Sequence, residues 1–242
     1  MGYQKSIRQD SVRIPPPPGI AGLLLRLREN GMSNIFDLFK KIEQPAEPAG
    51  APEWIIAGLG NPGRDYERTR HNAGFLAMDV ICGKLGVECR RARFHALTET
   101  AVLGGHRVLL MMPQTYMNLS GEAIRDAADF YHIAPEHVIV LVDDVYLAPG
   151  RMRIRTGGSN GGHNGLGNII YQLGSDRFAR IRIGVGEKPH PDYDMKDWVL
   201  GKLTDDDLSH MKGCFDDALD AVTLLMDGKA DRAMELYNGK VH

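Results

Sequence analysis

Four stretches of the chain concentrate side chains able to do chemistry. The first is Gly58-Leu-Gly60-Asn-Pro-Gly63, with His71-Asn72 shortly after it. The second is the carboxylate pair Asp143-Asp144, which closes the apolar run Val138 to Val142. The third runs from Gly157 to Gly167, with six glycines in eleven residues and His163-Asn164 among them. The fourth is a set of arginines, Arg151, Arg153 and Arg155 before the glycine loop and Arg177, Arg180 and Arg182 after it. A histidine can act as a general base near neutral pH, and a carboxylate at the mouth of a buried strand needs a partner or water. Such a carboxylate can orient a histidine and favour its imidazolium. Glycines let backbone approach a ligand, and arginines on strands flanking such a loop can bind phosphate. Each feature also has a plainer role. Asn72 and Asn164 suit helix N-caps, Asp143-Asp144 could open a turn into Pro149-Gly150, and a run of arginines is usually a solvated face.

Gly58 to Gly63 also spells the dinucleotide fingerprint G-x-G-x-x-G. That reading needs a helix opening at the third glycine and an acid about 20 residues on, at the end of a second strand. Instead the polar stretch Arg64 to Arg70 intervenes, the helix begins near Asn72, and the nearby acid Glu88 sits in a turn. The loop is better read as projecting Asn61 and His71 into a cleft at the carboxyl edge of a sheet. There is no H-E-x-x-H and no phosphate-loop lysine. His71, Asp143 and His163 are equally suited to holding a metal or to metal-free acid–base work, and spacing alone does not decide between them.

These groups must be positioned by the elements around them. From Glu53 onward strand-like and helix-like periods alternate. Trp54 to Leu59 reads as a buried strand, and Phe75, Met78, Cys82 and Leu85 as one face of a helix stopped by Gly86. A hairpin follows around Leu97–Leu103 and Arg107–Met112, turning at Gly104-Gly105. Ser120 is placed to cap a helix reaching Tyr131, and Val138 to Val142 reads as an interior strand. Arg151 to Arg155 alternates as a strand with one wet face. A helix after Asn164, a strand at Arg180–Val185 and a helix over Thr204–Met226, capped through Thr204 and Asp207, complete the pattern. It predicts a single α/β domain over 53–242, with a mixed central sheet and helices on both faces.

Residues 1–52 differ. Pro15 to Pro18 favour polyproline II, Met32 to Ile42 suits a short amphipathic helix, and Gln44 to Pro52 has linker composition, so this segment is expected to be an appendage. It lacks the apolar core and cleavage site of a signal peptide.

The 242 residues carry 29 basic and 31 acidic side chains, a net charge of -2, so any basic surface must be local. No apolar run approaches the ~18 residues of a membrane helix. Three cysteines with no Cys-x-x-Cys pair argue against a disulfide framework or thiolate zinc site and suit a reducing cytosol.

The motifs together resemble a known family. Gly58 to Gly63, Tyr66 and Thr69-Arg-His-Asn-Ala-Gly74 are similar to the signature of bacterial-type peptidyl-tRNA hydrolase. Tyr116-Met-Asn-Leu-Ser-Gly121, Gly157 to Leu166 and Arg180-Ile-Arg-Ile-Gly-Val-Gly186 agree in order, so the resemblance runs from about Trp54 to Tyr237. It implies hydrolysis of the ester joining a peptide to tRNA, with His71 as catalytic base, Asp143 supporting it and Asn61 distinguishing blocked from free aminoacyl groups. It further implies substrate contacts at Tyr66, Tyr116, Met117, Asn118, His163 and Asn164, and tRNA phosphate contacts at Arg155 and Arg182. No cofactor or metal is implied. The expected partner is peptidyl-tRNA rather than a membrane, and the expected state is a cytoplasmic monomer. Two positions depart from the family pattern, Tyr146 where an acid is frequent and Asn160 where histidine is frequent. The rival expectations are a catalytically silent RNA-binding relative on the same scaffold and a dinucleotide-binding protein.

Overall fold

Seven strands form one sheet in the order β2-β3-β4-β1-β5-β7-β6. In the computed structural model, which describes residues 50–242, they are β1 (Trp54–Gly58), β2 (Arg91–Arg93), β3 (Ala96–Leu103), β4 (His106–Pro113), β5 (Val138–Asp144), β6 (Met152–Arg155) and β7 (Ala179–Gly184). The polyproline run and the helix expected at Met32 to Ile42 lie outside the described residues. β4, β1, β5 and β7 run parallel, whereas β2, β3 and β6 pair antiparallel at the two edges. The mixed sheet is as expected. Val138 to Val142 is uncharged, unbroken and wholly aliphatic because β5 is buried along its whole length between β1 and β7.

Among the described residues there are six α-helices, α1 (Ala73–Leu85), α2 (Ser120–Tyr131), α3 (Asn164–Leu173), α4 (Met195–Leu200), α5 (Asp205–Met226) and α6 (Ala230–Tyr237), and all but α4 cover the two faces. α1, α5 and α6 pack Met78, Ile81, Phe215, Val222 and Ala233 against Ile56, Leu110, Leu141 and Ile181. On the opposite face α2 and α3 pack Ile124, Ala127, Leu166 and Ile169 against Ile55, Leu109, Val140 and Phe178. The strand period of two sends alternate side chains into these two cores.

The helix ends show where local chemistry agreed with the sequence and where it did not. Gly86 takes φ 67° and closes α1, and Thr204 and Asp207 form the expected capping box on α5. Ser120 is not a cap. A 3₁₀ turn over Met117–Leu119 precedes α2, and the Ser120 hydroxyl donates to the Met117 carbonyl at 2.9 Å. Asn164 is not a cap either, since His163 holds that position and its Nδ1 accepts from Leu166 N–H at 3.2 Å. Asn72 stands at the N-cap of α1 without capping it, because its amide is committed elsewhere. The strand β2 and the helices α4 and α6 were not expected. β2 is three exposed residues, Arg91-Ala-Arg93, and α4 only six, too short for a periodic signal. Ala233 and Tyr237, buried at a spacing of four, did mark α6.

Candidate active site

The parallel strands end together at their carboxyl edge, and the loops that leave them enclose a cleft of about 770 Å³. Close backbone packing sets its floor. A Cβ on Gly74 would lie 2.3 Å from the Leu141 carbonyl and 2.4 Å from Leu59 N, and one on Gly58 would lie 2.5 Å from the Gly74 carbonyl. Only hydrogens at both positions let the start of α1 press onto the ends of β1 and β5. Gly58 of the fingerprint therefore serves helix–strand contact, and only a three-residue 3₁₀ turn over Arg64–Tyr66 follows Gly63 instead of the α-helix a pyrophosphate would need, which removes the dinucleotide reading.

That contact delivers His71, in a 3₁₀ turn over Arg70–Asn72, to Asp143 at the end of β5. His71 Nδ1 lies 2.9 Å from Asp143 Oδ1, and His163 Nε2 reaches the same oxygen at 3.0 Å. All three residues are buried. Leu166 N–H can only donate, so His163 Nδ1 is the acceptor and its Nε2–H points at Asp143. The carboxylate likewise selects the Nδ1–H form of His71. This leaves His71 Nε2 as an acceptor with no partner among the described residues, in a residue that lines the cleft.

Burial disfavours the His71 imidazolium, but the charge of Asp143 and its hydrogen bond outweigh this and raise the His71 pKa above 6.5. Burial pushes Asp143 the other way, toward its neutral form. The two histidines and their hydrogen bonds overcome it and hold the carboxyl well below the usual carboxylate range.

Asn61 is fixed on three sides. Its N–H donates to Asn72 Oδ1 at 2.9 Å, its carbonyl accepts from Asn72 Nδ2 at 3.0 Å, and its Oδ1 accepts from Met117 N–H at 2.8 Å. Because Met117 N–H identifies the amide oxygen, the Asn61 NH₂ group is the end turned to the cleft. Tyr66, Tyr116, Met117, Asn118, Asn164 and Arg182 also line it. Gly165 gives Met117 its room, since a Cβ there would meet the sulfur at 2.6 Å.

The arginines divide. Arg182 Nε donates to Asp144 Oδ2 at 2.8 Å, and both Nη groups have no hydrogen-bond partner among the described residues. Arg155 is exposed on the edge strand β6 and does not line the cleft. Arg180 is no part of a basic surface. It is 1% exposed and donates to the carbonyls of Gly158, Ser159, Asp176 and Phe178, clamping the glycine loop from beneath. Gly157-Gly-Ser159-Asn-Gly161 also spells G-x-S-x-G, but Ser159 is exposed in that loop and outside the cleft. Lining residues that sequence reasoning missed are Met195, Lys196, Val199 and Leu200 of α4, together with Val145. α4 is held by Trp198, whose ring stacks under the Arg70 guanidinium at 3.5 Å.

His71, Asp143 and His163 are the one group of potential metal ligands among the described residues, with donor atoms within 4.8 Å of one another. The donor set does not suit an ion. Both imidazole N–H groups are directed at one carboxylate oxygen, and the other nitrogen of His163 is taken by Leu166 N–H.

Comparison with known proteins places the chain in a family. The family model for peptidyl-tRNA hydrolase matches residues 55–242. The peptidyl-tRNA hydrolase of Agathobacter rectalis is 45% identical over 186 residues, covering 76% of this chain and all of that protein. That of Caldanaerobacter subterraneus subsp. tengcongensis is 47% identical, covering 77% of this chain and again all of the relative. The crystal structure of peptidyl-tRNA hydrolase from Acinetobacter baumannii superposes with a TM-score of 0.73 at 37% identity, covering 80% of this chain and 99% of that one. With a family model matched over residues 55–242, the chain belongs to the peptidyl-tRNA hydrolase family.

Proposed function

We propose that this chain hydrolyses the ester between peptide and tRNA in peptidyl-tRNA, with His71 as general base. One observation carries the mechanism: His71 Nδ1–H is bound to a buried carboxylate while Nε2 is left unpartnered on the cleft. Neutral His71 takes a proton from water through Nε2, and Asp143 stabilises the imidazolium that forms. An aminoacyl ester is already activated, so no covalent nucleophile is needed and one positioned base suffices.

The Asn61 NH₂ group, locked by Asn72 and Met117, donates to the carbonyl oxygen as it becomes an oxyanion. Asn118 and Asn164 hold the peptide backbone, and Tyr66, Tyr116 and Met117 supply the apolar wall. Polar contacts made to a substrate amide penalise a free ammonium, which favours N-blocked substrates. Arg182 and Arg155 meet tRNA phosphates, giving affinity without base sequence. No helix among the described residues is long and apolar enough to cross a membrane, which agrees with a cytoplasmic protein, proposed here to be monomeric. Residues 1–52 are read as an appendage to the catalytic domain 53–242.

The test compares release of the acyl group from N-acetyl-aminoacyl-tRNA and from unblocked aminoacyl-tRNA, by wild type and His71→Ala. The expected result is rapid, chelator-insensitive cleavage of the blocked substrate alone, lost in the variant while tRNA binding persists. Cleavage surviving His71→Ala removes the base. No cleavage by wild type with tRNA still bound makes the protein an RNA-binding relative.

A further inference from the structure

Two of the three cysteines meet, although seven positions and a helix end separate them. Cys82 lies in the last turn of α1 and Cys89 in the irregular loop before β2, with their sulfurs 3.5 Å apart. The left-handed Gly86 reverses the chain, and Val87 N–H bonds back to the Cys82 carbonyl at 3.0 Å, so the loop folds over the first thiol. Cys82 is buried and Cys89 half-buried. We propose that Cys82 and Cys89 form an oxidisable dithiol, a modification site that reacts with small peroxides and closes to an intramolecular disulfide.

The geometry permits it. A disulfide needs sulfurs about 2.05 Å apart, so they must close by roughly 1.5 Å. Cys89 sits outside any helix or strand, so the closing movement falls to its side chain and the loop that carries it. The hydrogen bond from Cys89 is the largest influence on the Cys82 thiol and lowers its pKa, outweighing burial and the nearby charges of Asp79 and Glu99. That bond and burial raise the pKa of Cys89, which stays protonated. One sulfur is therefore readied as thiolate and the other as resolving thiol.

The Cys82 thiolate attacks one oxygen of hydrogen peroxide, the O–O bond breaks, and sulfenic acid forms with release of hydroxide, which takes a proton from solvent. The Cys89 sulfur then attacks the Cys82 sulfur. The S–O bond breaks and the departing hydroxide leaves as water with the Cys89 proton. Two thiols lose two electrons in all, and one peroxide becomes two waters. Cys214 is an internal control, because it is fully buried and burial pushes its thiol up to about 12.

The sequence supplies a direct assay. Trypsin cuts after Arg70, Lys84 and Arg90, so peptides 71–84 and 85–90 stay joined only if Cys82 and Cys89 are bonded. After treatment of the full chain with hydrogen peroxide, thiols titrated in denaturant should fall from three to one per chain. Intact mass should drop by about 2 Da, and the joined peptides should appear and be released by dithiothreitol. Cys89→Ser should abolish the joined peptides and leave a Cys82 sulfenic acid that dimedone traps, whereas Cys214→Ser should change neither. Three thiols surviving, a disulfide-linked dimer through Cys89, or sulfinic acid on either residue without a link would overturn the proposal.

Discussion

Replacing Asp143 with asparagine tests the mechanism at its least redundant atom. Oδ1 accepts from both imidazoles, and Oδ2 has no hydrogen-bond partner among the described residues. His163 still presents Nε2–H, because Leu166 N–H fixes its tautomer. The new amide must therefore keep its oxygen toward the two rings and place NH₂ where Oδ2 was, so the geometry and the His71 tautomer survive while the charge is lost. Two unit charges about 4 Å apart at an effective dielectric near 20 attract by about 4 kcal/mol. A neutral hydrogen bond recovers about 1 kcal/mol of this. The transition state then loses about 3 kcal/mol, or roughly 100-fold in kcat. The pH profile carries a second signature. Under the proposed mechanism His71 works as neutral base, so kcat/KM should fall as pH drops through its pKa, which burial lowers but Asp143 raises above 6.5 in wild type. Without the carboxylate only burial remains, and the acidic limb should move below 6.5. Steady-state hydrolysis of N-acetyl-aminoacyl-tRNA from pH 5 to 8 reads both effects. A kcat within threefold of wild type, or a limb that does not move, would refute the role of Asp143.

Gly74→Ala should be costly without touching a catalytic group. Its methyl would stand 2.3 Å from the Leu141 carbonyl, and overpacking against backbone costs about 3 kcal/mol, lowering Tm by roughly 6–12 °C in calorimetry. An unchanged Tm would mean that α1 is free to lift off the strand. Arg182→Gln, which can still donate to Asp144, should raise KM and reduce the slope of log binding constant against log salt by about 0.7–0.9. A slope as steep as in wild type would take Arg182 off the phosphate path.

The sheet and its helices were legible wherever burial imposes a period. β5 announces itself by five consecutive aliphatic residues, and α1 and α5 by apolar spacing and a readable stop or cap. The trio of His71, Asp143 and His163 was legible as residue types in loops but not as a shared carboxylate oxygen, which depends on backbone contacts at Gly58 and Gly74. Asn72 and Asn164 misled for one reason. Asparagine before a helix is a good cap, and nothing local reveals that a distant backbone claims one amide and that a neighbouring histidine caps in place of the other. Arg180 and Arg182 occupy equivalent positions on β7, yet one is buried under four carbonyls and the other faces the cleft. Only the loop folded over them decides. The meeting of Cys82 and Cys89 was likewise hidden, since seven residues match no cysteine motif.

Adjacent carboxylates at the end of β5 have opposite duties. Asp143 binds the two imidazoles, and Asp144 uses Oδ2 for Arg182 and Oδ1 for Tyr146 N–H. Successive strand residues point to opposite sides of a sheet, so a slip of β5 by one residue would exchange the two carboxylates and present each to the wrong partners. Pairing of Leu141 with both Gly58 and Ile181 fixes that alignment from both sides. Chemistry is thus conditional on assembly of strands distant in sequence: a chain still completing its sheet has every reactive side chain and no catalyst. The two carboxylates reach their partners only once β5 is aligned with β1 and β7, which makes hydrolysis itself a reporter of that central pairing.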